Sequence, residues 1–174
     1  MKFLHTDDLT TALNQLPKLY VHNDVQYTLR ELWSKGHTDD VEALGWQGVE
    51  TLVPAYNSAT HKLGDVTYTL TDGVITGEYI VIALSTEERI EVAKAQATQR
   101  IYTVVDQTAQ MNLASAAAAG LLSASDMTTY TEGLVWVAGM RQAWKDIVAQ
   151  GLDPTDDLNW PSVPVAVQEL AQRY

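Results

Sequence analysis

The stretch Ser85–Gly120, STEERIEVAKAQATQRIYTVVDQTAQMNLASAAAAG, marks where short strands give way to long helices. Ser85-Thr86-Glu87-Glu88 has the form of a capping box, in which the serine hydroxyl accepts from a backbone N–H and the glutamate reaches back to the serine N–H. Behind it, Ile90, Ala93, Ala97, Ile101, Val104, Thr108 and Met111 recur in steps of three and four, the spacing of one narrow helical seam. This predicts one helix over Thr86–Ala119, stopped by Gly120. Ser123 or Ser125 then caps a second helix, expected over Ser125–Gln150. Its stripe is Met127, Tyr130, Leu134, Val137, Arg141, Trp144 and Val148, and Gly151 and Pro154 end it. Two long helices joined by a short loop fold back antiparallel.

Upstream, the elements are short. Thr6 is placed to cap a helix carrying Leu9, Ala12, Leu13 and Leu16 on one face and stopping at Pro17. KLYV and VQYT bracket His22-Asn23-Asp24 and predict a small hairpin. LRELWSKG and TDDVEALG predict two short helices, ended by Gly36 and Gly45, with Thr38 or Asp39 capping the second. DVTYTL, with Val66, Tyr68 and Leu70 on one face, returns through an Asp-Gly turn into VITGEYIVIAL. Tyr79-Ile80-Val81-Ile82 is apolar on both faces, which predicts a strand buried on both sides or an edge covered by the helices that follow. The expected fold class is α+β: residues 1–84 form a small mixed domain with an antiparallel sheet, and residues 85–174 a long antiparallel helical hairpin ending in a proline-rich strap.

The chain is acidic, with a formal charge of -11. Nucleic-acid affinity comes mainly from Lys and Arg neutralising phosphates, and anionic membrane surfaces attract the same cations. Neither partner is expected, and the surplus acid is read as solubility. With no Cys there is no disulfide or thiolate chemistry, which suits a cytosolic or virion protein. The opening MKFLHTDDLT lacks the apolar run of a signal peptide. The most apolar long window, 111–122, is well short of the roughly 20 residues a bilayer requires.

No catalytic, cofactor or metal site is expected. His5, His22, His37 and His61 are dispersed and make no His-x-x-x-His pair, so a zinc constellation is missing. Asp39, Asp40 and Glu42 lack the alternation and glycine of a calcium loop, and fit charge compensation at a helix N-terminus. Asp153, Asp156 and Asp157 read as a solvated loop. No nucleophile elbow, P-loop or dinucleotide fingerprint occurs. What stands out is aromatic: Trp136 and Trp144 on the second helix serve either as internal packing or as interface anchors.

After that helix come an acidic spacer and Leu158-Asn159-Trp160-Pro161-Ser162-Val163-Pro164. The helix pair, the segment LVWVAGMRQAWKDI and the W-P-x-x-P strap at Trp160, Pro161 and Pro164 together resemble the C-terminal region of phage tail fibre assembly proteins, over roughly residues 86–165. The first half departs from the best-known members. Its hairpin turn Asp72-Gly73-Val74, acid-bearing strand and Leu84-Ser85-Thr86-Glu87-Glu88 are instead similar to a module found in phage tail and fibre proteins. The resemblance implies a non-enzymatic protein that binds a fibre polypeptide and promotes its trimeric assembly. It implies residence in the host cytoplasm during assembly, with retention in the virion tail as the alternative. A permanent structural component of tail, fibre or baseplate is the competing expectation. Partner contacts are expected at Trp136, Arg141, Trp144, Trp160, Pro161 and Pro164, and a homo-oligomer is compatible with either. Two prolines fix φ near -65°, so the strap can tie the hairpin down through Trp160 or offer a partner a preorganised edge.

Overall fold

The computed structural model describes all 174 residues, and the fold is α+β. Chain contacts separate two units, residues 1–57 with 61–82 and residues 58–60 with 83–174. No helix is long and apolar enough to cross a membrane.

In the first unit, strand β1 (Lys2–His5) lies between β2 (Asp8–Leu13) and β5 (Trp46–Val49) and pairs antiparallel with both. The helix expected from Thr6 to Pro17 is therefore not formed, and its core is strand β2. The reason lies in how the sheet is covered. Leu9 and Ala12 pack with Leu4, Val49 and Ile75 on one face, whereas Leu13 and Leu16 join Phe3, Leu29, Val41 and Trp46 on the other. A register shift between β1 and β2 lets the face change partway along the strand. Apolar residues spaced like a helix thus serve a sheet buried on both sides. The Asp8 carboxylate helps hold this strand's start: it accepts from the Thr10 hydroxyl and from the backbone N–H of Thr10 and Thr11, which keep it far below the usual carboxylate range.

The hairpin of β3 (Tyr20–His22) and β4 (Val25–Tyr27) forms as expected, with Asn23 and Asp24 both at positive φ in a two-residue turn. Helices α1 (Leu29–Ser34) and α2 (Thr38–Ala43) also form, but His37, not Thr38 or Asp39, occupies the cap position of α2 and makes no side-chain cap bond. Strands β6 (Thr51–Leu52), β7 (His61–Thr71) and β8 (Val74–Ala83) make a second sheet in the order β6-β8-β7, in which the β6–β8 pair is parallel. Asp72 and Gly73, both at positive φ, turn β7 into β8. The Gln47 side chain fixes this hairpin to β5, donating to the Gly73 carbonyl at 2.6 Å and accepting from Ile75 N–H at 2.8 Å. Burial of Tyr79–Ile82 on both faces is not observed: Ile80 and Ile82 remain 44% and 40% exposed. Leu70 is likewise exposed, while Val66 and Tyr68 are half-buried.

The second unit opens with the expected capping box: Ser85 Oγ accepts from Glu88 N–H and the Glu88 carboxylate accepts from Ser85 N–H. The expected continuous helix over Thr86–Ala119 is corrected to two, α3 (Thr86–Val104) and α4 (Gln107–Ala118). Val105 is extended, and the Asp106 side chain caps α4 by accepting from Ala109 N–H at 2.8 Å. The break rephases the seam. Val105, Ala109, Leu113 and Ala116 are buried, whereas Thr108 and Met111 are exposed. At Gly120, φ of +69° allows Leu121 N–H to bond the Ala116 carbonyl and Gly120 N–H that of Ala117, which closes α4. Helix α5 (Ala124–Gln150) is capped by Ser123 and packs along α3. A further helix not expected from the sequence, α6 (Val165–Ala171), follows the strap and packs on α5 and α4.

Candidate functional site

Helix α5 carries two apolar faces. Trp136, Met140 and Ile147 are buried, with Gly133 and Ala143 half-buried on the same side. The stripe expected to be the seam, Tyr130, Leu134, Val137, Arg141 and Trp144, is displaced from it by one residue. One residue is a rotation of about 100°. The displacement follows from what surrounds the helix: α5 has both α3 and α6 against it, and the strap along a third side, so its core face is set by several neighbours rather than by one antiparallel mate.

The strap lies along one side of α5 and leaves cavities of about 540 and 350 Å³ beside Trp160 and Pro161. A 3-10 turn at Asp157–Asn159 leads to an extended segment at Trp160. Trp160 is 8% exposed, and its Nε1–H donates to the Pro154 carbonyl at 2.9 Å. Arg100 lies over the Trp160 ring at 5.2 Å and bonds the Asp157 carboxylate at 2.5 Å and the Thr155 carbonyl at 3.3 Å. Trp136 is buried as well and donates from Nε1 to the Pro161 carbonyl at 3.2 Å. Pro161 and Pro164 lie on the surface, and Pro164 holds φ at -64° as the residue before α6. Two of the six residues singled out as partner contacts, Trp136 and Trp160, are thus occupied inside the unit. The acidic loop is more than solvated: Asp157 pairs with Arg100, Asp156 caps Leu158 N–H, and Asp153 accepts from Thr155.

The other side of α5 is open. A cavity of about 280 Å³ lies between α4, α5 and α6, walled by Leu113, Tyr130, Leu134, Val137, Val167 and Leu170. A second, of about 370 Å³, lies between α3 and α5 and includes Lys94, Ile101, Tyr102 and Trp144. The two share Gln110, Val137 and Arg141 and so meet along the helix. Neither is lined by an Asp or Glu. Lys94 and Lys145 approach the Trp144 ring at 5.5 and 5.8 Å. Lys94 also bonds Glu91 at 3.1 Å, whereas Arg141 is exposed and makes no ion pair. Exposed Leu134 (53%) and Tyr102 (50%) border the groove. The structure therefore brings together Arg141 and Trp144 of the expected contacts and separates them from the strap residues. The α6 wall was not read from the sequence; the signal was the helical spacing of Val167, Leu170 and Ala171 after Pro164.

A polar cluster of His5, Tyr20 and Trp46 lies in the first unit, and within it the buried Trp46 Nε1–H has no hydrogen-bond partner. His5 Nδ1 lies 3.2 Å from the Asp7 backbone N–H, which donates to it. Nε2 faces the Leu44 carbonyl at 3.1 Å and Tyr20 Oη at 3.0 Å, and Trp46 packs edge-on at 5.2 Å. Both nitrogens are engaged in holding the β1 end to its neighbours. Asp39 and Asp40 stand in the first turn of α2, where they complement the helix dipole. No group of three or more His, Asp or Glu side chains is arranged to hold a metal ion. Comparison with protein-family models, curated proteins and solved structures returned no match.

Proposed function

We propose that this chain is a phage tail fibre assembly protein or fibre-associated accessory, which binds a fibre polypeptide and promotes its trimeric assembly without covalent chemistry. The reading starts from the W-P-x-x-P strap behind a helical pair. The observation that carries it is α5: braced by the strap on one side, it keeps a second apolar face open beside an exposed arginine and a half-buried tryptophan. Aromatic and arginine side chains on a rigid element are the residue types that dominate protein interfaces. Rigid bracing also lowers the ordering cost of binding. Its place of action is the host cytoplasm during assembly.

The test is co-expression of the fibre polypeptide of the same phage with and without this chain, scored for soluble trimers by native gel and electron microscopy. Trimers that form equally well without the chain overturn the reading. Stoichiometric recovery from purified virions would make it a permanent tail component instead. Substitution of His5, Asp39, Asp40 or Glu42 by Ala is expected to leave trimer yield within a few-fold. A folded single variant losing on the order of a hundredfold or more would have the size expected of a catalytic acid or base and would point to an enzyme.

A further inference from the structure

We infer that the groove on α5 docks an apolar peptide segment that carries a carboxylate, received by Arg141. This deepens the fibre-binding reading and rests on it only for the source of the segment. The charge pattern carries the inference. The chain has 22 acidic against 11 basic residues, yet the residues lining the two joined cavities include Lys94 and Arg141 and no acid. Three of the unit's six basic side chains are held in ion pairs, Arg100 by Asp157 and Arg173 by Asp126, both at 2.5 Å, and Lys94 by Glu91. Arg141 stands at the junction of the two cavities with no ion-pair partner.

An uncharged apolar ligand would leave that guanidinium partly desolvated and unpaired, at a penalty. A carboxylate beside apolar side chains satisfies it, and arginine takes a carboxylate with two parallel hydrogen bonds. The overall negative charge does not forbid this. Charges beyond about 8 Å are largely screened at physiological salt, so the local cations decide.

The probe is a display library of random 12-residue peptides selected on the immobilised full-length chain. Enriched peptides are expected to combine apolar residues with at least one Asp or Glu, and to bind at least tenfold more weakly to Arg141→Glu and to Leu134→Asp. Both positions are exposed, so unchanged circular dichroism and Tm certify folding. Gln99→Glu, in the strap-side groove, should leave binding unaltered. Enrichment of peptides without acids, binders indifferent to both groove variants, or no enrichment at all overturns the inference. Sedimentation should show a monomer; a dimer dissolved by Arg141→Glu would assign the groove to a second copy. The selection uses no fibre, so its failure and a failure of the co-expression experiment are separate results.

Discussion

Trp160 and Trp144 each lie beneath a basic side chain, Arg100 at 5.2 Å and Lys94 at 5.5 Å. Around Trp160 the indole N–H finds the Pro154 carbonyl, and the terminal nitrogens of the Arg100 guanidinium find Asp157 and Thr155, while its buried Nε has no hydrogen-bond partner. Around Trp144 the ring is half-buried, two lysines crowd it, and Arg141 one helical turn away is unpaired. The same residue types thus make a brace held by the strap on one side of α5 and line a groove without acids on the other. What separates them is the chain that follows the helix. The strap must leave α5 on one side, and the residues it covers become core.

The sharpest test of that contrast is Trp160→Ala. Removing a buried aromatic side chain costs about 3–5 kcal/mol, read by denaturant unfolding followed by far-UV circular dichroism. Trp144→Ala should cost clearly less. Equal losses would mean that the two sides are not different in kind.

Next comes the phase of the helix. Met140, 1% exposed, should lose about 2–5 kcal/mol on replacement by Ala. Leu134→Ala, six residues earlier on the groove face, should stay within about 0.5 kcal/mol. A reversed order would restore the seam that the sequence periodicity suggests. The same unfolding curves measure both.

Asp106→Ala tests the break between α3 and α4 and should cost about 1 kcal/mol, the usual value of a lost N-cap. A stabilised variant with increased helicity would show that α3 and α4 prefer to be continuous and that the capping aspartate alone enforces the rephased groove wall.

The smallest effect concerns how α6 is tied down. The Arg173 guanidinium, and after it the Ser123 hydroxyl, hold the Asp126 carboxyl below the usual carboxylate range. A depressed folded pKa contributes stability that is fully present above the unfolded value and lost as pH falls through the folded one. The stability difference between the native chain and Asp126→Asn should therefore be present at pH 7 and shrink below about pH 4. A difference that grows on acidification would contradict the ion pair.

Local chemistry was legible where one short motif suffices. The capping box at Ser85, the Asp72-Gly73 turn and the helix stop at Gly120 are each settled by a few adjacent residues, and each is found in place. The α+β class follows from the change of periodicity near Ser85. Apolar spacing was misleading wherever an element is buried on more than one side. Leu9, Ala12, Leu13 and Leu16 are spaced like one helical face because they serve two faces of a sheet across a register shift. The α5 stripe was out by one residue because α3, α6 and the strap all cover that helix. The break at Asp106 was not read, because the three-four spacing runs through it from Ile101 and Val104 to Thr108 and Met111.

The sequence by itself thus determined the chain's acidity, the capping box at Ser85, the turns at Asp72-Gly73 and Gly120, and the presence of a tryptophan-proline strap after two helical segments. Only the tertiary structure decided that Trp136 and Trp160 are core and that Arg141 and Trp144 border a groove. A capping box or a glycine turn is made by neighbours in the chain, and the sequence lists those neighbours. Which face of an amphipathic helix is buried depends on the areas that other elements offer to it, and these exist only once the chain has folded.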